Sequence, residues 1–352
     1  MHHDREFPDG EPDRPGWFNS YPGRMIPLYA TVLALSLSMA IQQKLVPEAR
    51  PFMKWAGGKS QLLPAFYKRF PSGLNNGEIT RYVEPFVGGG AVFFFVFEKF
   101  SFDECTICDA NEELILVYRV IKRSVKKLVL TLGALESEYL SNDEHGRERL
   151  FYAVRDTFNR DKPKVNFATF QPAWVERAAQ TIFLNRTCFN GLFRMNRKGE
   201  FNVPFGKYKN PRILYEEFLT DAATILKNTR IILGDFTSCG PYVNDQTFVY
   251  FDPPYRPLNA TSFFNSYAKD GFSDTDQVRL AEFYRDLDKK GAKIMLSNSD
   301  PKNEDPRDSF FDMLYSDFTI ERVPARRMIN SKGSGRGEIN ELVITNYSNR
   351  TT

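Results

Sequence analysis

The sequence predicts an α/β protein: a doubly wound, open sheet with a mostly helical insertion. Three observations carry that expectation. Short apolar, β-branched or aromatic runs at 81–84, 105–108, 230–233, 248–251 and 293–296 read as strands, separated by segments with 3.6-type apolar spacing. The first run leads through Pro85-Phe86-Val87-Gly88-Gly89-Gly90 into an apolar stretch at 91–97, a strand, Gly-rich turn and helix in succession. The run Phe248-Val249-Tyr250-Phe251 ends abruptly in Asp252-Pro253-Pro254-Tyr255, a turn at the carboxyl end of a buried strand, where such sheets hold ligands.

The bounds agree with a globular chain. Its 352 residues suffice for one large domain or two modest ones. Hydrophobic residues at 42% and charged residues at 26% exclude global disorder and coiled coil. A net charge of only +3 means that any nucleic-acid surface is local. Cys105 and Cys108 form a lone CxxC inside a strand-like run, with no second pair at zinc-ribbon spacing, so no metal site is expected. Reduced thiols and an intracellular setting follow.

Residues 1–24 are polar and without periodicity, and 26–41 form an uncharged run shorter than the ~20 residues of a membrane span. The run is similar to the apolar part of a signal peptide. The preferred reading of 1–47 is a dispensable leader or an upstream extension, with Met39 as the natural beginning. A membrane tether is the secondary reading.

Phe52-Met53-Lys54-Trp55-Ala56-Gly57-Gly58-Lys59-Ser60 invites a P-loop reading, but the first glycine of that motif would fall on Met53. The favoured reading is that its glycines let backbone pass near a ligand, with Trp55 as an aromatic wall and Lys59 as a cation for a carboxylate; a Gly-rich connection with Trp55 merely buried is the alternative. The turn at Gly88, Gly89 and Gly90 is not the dinucleotide fingerprint, so hydride transfer has little support. The second strand ends at Asp109, about 20 residues past the glycines, where such folds place an acid against ribose hydroxyls. A helix cap is the plainer role for that acid, but the spacing favours the ribose role.

Helical spacing then covers 114–122, 125–139, 147–159 and 174–184. Residues 185–212 differ: seven Lys/Arg against one acid, Glu200, interleaved with Phe189, Phe193, Phe201, Phe205 and Tyr208. Asn190-Gly191 and Lys198-Gly199 are turn signals, so a β-hairpin or loop finger is expected. Such a finger suits DNA, with cations on phosphates, an Arg on a guanine edge and an aromatic wedge in the stack. A solvated basic loop over buried phenylalanines is the alternative. Beyond it lie a helix at 214–226, a strand running into Gly234-Asp235-Phe236, and an aromatic, Ser/Asn-rich loop at 258–272. A helix at 274–290 and another at 309–315 precede strands at 319–323 and 341–345. A basic segment at 326–337 suits phosphate contact.

The Asp252 turn presents a carboxylate, a Pro253 carbonyl and the Tyr255 ring. Together these can hold a planar amino group by two acceptors while the ring stacks on the attached heterocycle. A simple strand-ending turn is the alternative for this stretch alone.

Five segments in order, FMKWAGGK (52–59), VEPFVGGGAVF (83–93), FNGLFRMN (189–196), EFNVPFGKYKN (200–210) and FDPPYRPL (251–258), resemble the Dam-type adenine-N6 DNA methyltransferases, above all the GATC-modifying methylases of restriction systems. The resemblance spans roughly 51–347. It implies a Rossmann-like S-adenosylmethionine-dependent methyltransferase sheet at 48–122 and 228–349, with a target-recognition domain at 123–227. It implies cofactor contacts at Trp55, Lys59, Asp109 and Asp252, with the loop from Pro85 and Phe86 through Gly88 to Gly90 beneath the methionine part. Asp235 and Phe236 would line the same pocket. Asp252 and the Pro253 carbonyl would hold the target amino group and Tyr255 would stack on an extruded adenine. Phe189 and Asn190 would enter the duplex, Arg194 with Leu192 and Pro204 would read GATC, Lys54 and Tyr208 would meet the first guanine, and Lys207 a phosphate. Phe189 stands where some members carry tyrosine, which keeps the wedge and loses the hydroxyl. The implied partner is double-stranded DNA. Protection of DNA beside a cognate restriction endonuclease acting on the same site, regulation of a genome and a phage role stay open, and a monomer is the default expectation. Cytosine-N4 and protein-glutamine methylation, and a catalytically silent DNA-binding module, are the rival readings.

Overall fold

The computed structural model describes residues 48–256, 272–326 and 338–348. The leader, the loop at 257–271 and the basic segment at 327–337 lie outside the described residues, so the expectations for them are not addressed. One compact unit starts at Pro47.

Its centre is a seven-stranded sheet in the order β3-β2-β1-β4-β5-β7-β6. The strands are β1 (Arg81–Pro85), β2 (Glu104–Asp109), β3 (Thr229–Leu233), β4 (Thr247–Phe251), β5 (Lys293–Ser299), β6 (Thr319–Arg326) and β7 (Glu338–Thr345). Strands β1 to β5 pair in parallel, whereas β7 runs antiparallel between β5 and β6. The chain winds outward from β1 to β3, returns to the centre at β4 and winds the other way. The reversal between β1 and β4 opens the crevice where doubly wound sheets bind ligands.

Side-chain alternation explains why both faces are covered. Tyr82, Phe248, Tyr250, Met295 and Val343 join one apolar cluster, while Val83, Val249, Phe251, Leu296 and Leu342 join the other. The same period of two puts the lone CxxC on opposite faces of β2, Cys105 in the first cluster and Cys108 in the second. That geometry keeps the two sulfurs from sharing a metal.

Helix α1 (Leu63–Tyr67), α2 (Gly73–Asn76) and α3 (Ala91–Lys99) belong to the first face. Between β2 and β3 the chain inserts α4 (Glu112–Ser141), α5 (Glu144–Asp161), α6 (Trp174–Thr187) and α7 (Glu216–Leu226). The two helices expected at 114–122 and 125–139 are present as the two parts of α4, separated by a kink at the predicted gap, where Ser124 is non-helical (φ −146°, ψ 33°). Asn111 caps α4, accepting from the Leu114 N–H at 3.0 Å, so the cap is not Asp109. Glu113 of α4 and Arg177 of α6 form a fully buried double hydrogen bond, Nε to Oε2 at 2.9 Å, with the guanidinium 3.3 Å from the Phe158 ring of α5. Removing either partner would strand a buried charge, so the pair locks these three helices in one arrangement. Helices α8 (Asp274–Lys289) and α9 (Phe310–Leu314) cover the second face.

The finger at 185–212 is an antiparallel excursion without a regular ladder. Pairing is confined to the bridges Cys188↔Phe205 and Met195↔Phe201. The reason is where its aromatic residues go. Phe193, Phe201, Val203 and Phe205 are buried in the first cluster, leaving Phe189, Arg194, Pro204 and Lys207 exposed. Pro204 also cannot donate to a ladder. The finger is therefore anchored by its side chains on the helices, with its two arms joined by backbone bonds such as Phe189 N–H to the Pro204 carbonyl at 2.8 Å and Gly206 N–H to the Thr187 carbonyl at 2.9 Å.

Candidate active site at the carboxyl edge of the sheet

Four loops converge where the parallel strands end: Phe86–Gly90 after β1, the Asp109 end of β2, Gly234–Phe236 after β3 and Asp252–Tyr255 after β4. Phe86 adopts a positive φ of 64°, which turns the chain sharply off β1. Gly88 sits at φ 49° and packs on Trp55, where a Cβ would come within 2.9 Å of the indole. At Gly89 a Cβ would be 3.0 Å from the Trp55 Cβ. The glycines thus allow the indole to lie directly on the backbone.

Asp109 holds this loop. It accepts from the Gly88 N–H at 3.0 Å and from the Asn111 N–H at 2.8 Å. Burial pushes its carboxyl up, opposed by these N–H donors. On the far side, Phe86 and Phe236 rings meet at 5.4 Å, and Arg279 reaches over Phe236 while bonding the Asp235 carboxylate at 2.9 Å. Asp235 also caps the turn through the Thr237 N–H.

The Asp252 turn is fixed by acceptors and ion pairs, since its prolines offer no N–H. Buried Gln277 donates to the Pro254 carbonyl at 3.2 Å, and Arg256 clamps the exit through Asp274 and Asp308, each at 2.6 Å. Asp252 Oδ1 pairs with Lys59 Nζ at 2.6 Å and accepts from Ser297 at 3.4 Å. Ser297 is itself bonded to Tyr250 at 2.7 Å. Lys59 is buried, also meets the Gly57 carbonyl at 3.0 Å and Glu341 at 3.5 Å, and lies 4.8 Å from the centre of the Tyr255 ring. Burial alone would lower its pKa, but Asp252, Tyr255 and Glu341 outweigh that and raise it, so the ammonium stays charged. Burial pushes the Asp252 carboxyl above its usual range, with Lys59 pulling the other way. Tyr255 is half-exposed, and its hydroxyl donates to Glu341 at 2.6 Å.

Trp55 and Lys54 tie this site to the finger. The Trp55 and Phe193 rings stack at 5.7 Å, and Lys54 Nζ sits 5.0 Å from the Tyr208 ring centre. Asn185, fully buried at the end of α6, accepts from the Lys54 N–H at 2.8 Å and donates to the Lys54 and Gly191 carbonyls at 2.8 and 2.9 Å. Gly191 turns at φ 64° against the Lys54 side chain, where a Cβ would be 2.2 Å from the Lys54 Cδ. Among the candidate DNA contacts, Phe189 is 52% exposed and Asn190 turns at φ 56° beside it. Arg194 projects from the finger, bonded to Asn202 at 2.9 Å, with Leu192 partly covered.

Motif reasoning missed Glu341, Ser297, Gln277 and Asn185. None belongs to a short motif, and each reaches the site through a contact distant in sequence, 86 residues for Tyr255 and Glu341 and 131 for Lys54 and Asn185.

With this geometry in hand, residues 55–329 match the D12 class N6 adenine-specific DNA methyltransferase family. The chain belongs to that family. The protein is an adenine-specific DNA methyltransferase. It is 51% identical to a type II methyltransferase named M.MjaIII from Methanocaldococcus jannaschii over 301 residues, 85% of this chain and all of that relative. A type II methyltransferase named M1.LlaDCHI from Lactococcus lactis subsp. cremoris is 40% identical over 314 residues, 88% of this methyltransferase and all of that protein. A DNA adenine methylase of Serratia marcescens is 33% identical over 84% of this methyltransferase and 97% of that relative. No helix among the described residues of the methyltransferase is long and apolar enough to cross a membrane.

Proposed function

We propose that the enzyme transfers a methyl group from S-adenosylmethionine to N6 of adenine within GATC in double-stranded DNA, after turning that base out of the helix. The observation that carries this reading is the Asp252 turn beside Lys59 at the reversal point of the sheet. The residues around it fit the cofactor: a glycine turn lying on an indole, an acid at the end of β2 and an aromatic pair at Phe86 and Phe236. Trp55, Lys59, the turn from Pro85 to Gly90, Asp109, Asp235 and Phe236 would hold it. S-adenosylmethionine supplies an electrophilic methyl group on a sulfonium.

The protein's part is orientation. The amino nitrogen of adenine is a poor nucleophile because its lone pair is delocalised into the ring. Asp252 and the Pro253 carbonyl accept its two hydrogens and favour a pyramidal nitrogen whose lone pair faces the methyl carbon. Among the described residues, the two side chains that meet the Asp252 carboxylate do so on Oδ1, which leaves Oδ2 to be offered to the base. Positive charge that develops on the nitrogen lies beside this carboxylate. Transfer would form the N–C bond at the expense of the methyl–sulfur bond, the amino nitrogen then giving up one proton to solvent, and most of the rate would come from how Asp252 and the Pro253 carbonyl hold that nitrogen. Flipping costs a few kcal/mol. The half-exposed Tyr255 ring offers stacking of about 1–3 kcal/mol, and exposed Phe189 fills the gap in the duplex. Lys54 and Tyr208 would meet the first guanine, Arg194 with Leu192 and Pro204 would read the rest, and Lys207 would hold a phosphate.

In this reading residues 48–122 and 228–349 carry the chemistry and 123–227 carry recognition. The enzyme acts as an intracellular monomer, paired in its host with a restriction endonuclease cutting the same site. The relatives named as type II methyltransferases support that last assignment. The test is incubation with methyl-labelled S-adenosylmethionine and two duplexes that differ only in GATC versus GTAC. Label recovered as N6-methyladenine from the GATC duplex alone is the expected result. Label in both duplexes would discard the site, and label in neither, with DNA still bound, would discard the activity.

A further inference from the structure

We infer that Glu341 is a positioning residue for methyl transfer, holding the Tyr255 ring and the Lys59 ammonium through a single carboxylate oxygen. The inference rests on the reading above, in which Asp252 and Tyr255 receive the target adenine.

Glu341 lies on β7, paired in register with Ser299 of β5, and is 3% exposed. Its neighbours Leu342, Val343 and Ile344 are all buried and apolar. A carboxylate in such a place is costly and almost never found without partners. Its partners are both candidate site residues. Tyr255 donates its hydroxyl to Glu341 Oε1 at 2.6 Å, and Lys59 Nζ approaches the same oxygen at 3.5 Å. Lys59 closes the loop through Asp252 at 2.6 Å and the Tyr255 ring centre at 4.8 Å.

Stability alone does not call for this arrangement. A phenylalanine in place of Tyr255 and an apolar residue on β7 would together avoid burying a charge. What the bond does supply is direction. Tied at the far end of the ring, Tyr255 loses rotation about both side-chain torsions and offers a fixed face for stacking. Two carboxylates around one ammonium also leave one negative charge in excess beside the reacting nitrogen. Burial raises the Glu341 carboxyl, opposed by Lys59 and Tyr255. The other titratable groups facing this cluster are Tyr250 on β4 and Glu84 on β1, whose carboxyl burial raises strongly and which bonds Tyr82.

The experiment uses the full chain, a GATC duplex and single-turnover methylation, with a second duplex carrying 2-aminopurine at the target adenine to read unstacking. Glu341→Leu should slow methyl transfer about a hundredfold, as expected for loss of alignment, and reduce the 2-aminopurine signal. Affinity for the duplex should change less than about threefold, because the interactions that dominate it lie on the phosphates. Tyr255→Phe should slow transfer less than Glu341→Leu, and the double variant should be no slower than Glu341→Leu alone. Glu341→Gln keeps the volume of the side chain and removes only the charge. It should move the acid limb of the rate–pH profile downward, because Asp252 loses a like-charged neighbour. If Glu341→Leu does not fold, the Gln variant, tested with and without Tyr255→Phe, carries the same comparison. Wild-type rates and an unshifted profile in Glu341→Gln, or effects of the two sites that simply multiply, would overturn the inference. Full activity in the Glu341 variants beside an inactive Asp252→Ala would leave the functional reading standing. Absence of methylation by the unaltered enzyme would remove that reading itself.

Discussion

The Asp252 turn and the finger are both loops that carry candidate functional residues, yet they are held in opposite ways. The turn is fixed by polar bonds to the groups that would do the work: Lys59, Ser297, Gln277, Arg256 and, through Tyr255, Glu341. The finger is fixed by apolar anchors, Phe193, Phe201 and Phe205, that take no part in its exposed face. Polar fixation sets orientation to within a hydrogen bond, which a reacting centre requires. Apolar anchoring fixes the base of the finger and leaves its exposed side chains free to adjust to a duplex. Damage at the turn should therefore appear in rate, and damage at the finger in binding and discrimination.

The largest effect should come from Asp252→Ala. Loss of one acceptor at the reacting nitrogen should lower the methylation rate by about a thousandfold or more, with duplex affinity nearly unchanged in a gel-shift titration. Retained activity would break the contrast at once. The same carboxylate governs pH. Its pKa is raised, so it is protonated, and ceases to accept from the amino group, at a pH above the usual carboxylate value of about 3.9. The rate should fall as pH drops through that raised value, and an acid limb at or below pH ~4 would contradict the assignment.

Asn185→Ala probes the joint between the two regions. It removes the bonds to Lys54 and Gly191 and leaves buried backbone groups unpaired, a loss of about 2–4 kcal/mol in thermal or urea unfolding. Both the rate and site discrimination should suffer, because Trp55 and Phe193 are stacked across the same joint. An effect on one alone would mean that the regions act separately.

Arg194→Ala should cost about 1–3 kcal/mol of discrimination at one base pair, read as the ratio of methylation rates on GATC and single-substitution duplexes. Equal loss on all duplexes would reassign Arg194 to the phosphates. Lys207→Ala should have the smallest effect. It should weaken binding evenly across sequences and reduce the salt slope of log affinity by about 0.9.

Much of the fold was legible because its signals are local. Continuous apolar runs mark β4 and β5, which are buried on both faces of the sheet, the gap in apolar spacing coincides with Ser124, and two prolines mark the end of β4. The finger was half legible. Its charge and turn signals mark an exposed excursion and left a hairpin and a loop finger open; the loop finger forms, with two bridges, as alternate aromatic residues are drawn into the helical core. The plainer of the two roles open to Asp109 falls away, since Asp109 turns back to the glycine loop and Asn111 takes the end of α4.

By itself the sequence determined the strand and helix segments, the order of the five motifs and the carboxylate, carbonyl and ring at the Asp252 turn. Each depends on residues adjacent in the chain, where propensity, periodicity and proline chemistry act. Only the tertiary structure decided which charges meet. Lys59 reads in sequence as a cation awaiting a carboxylate, and the fold supplies two, from β7 and from the end of β4. Asn185 likewise becomes a joint only when α6 ends against the Lys54 loop, 131 residues earlier in the chain. Such contacts follow from strand order and helix packing, which are collective properties of the whole core, and no local pattern of residues encodes them.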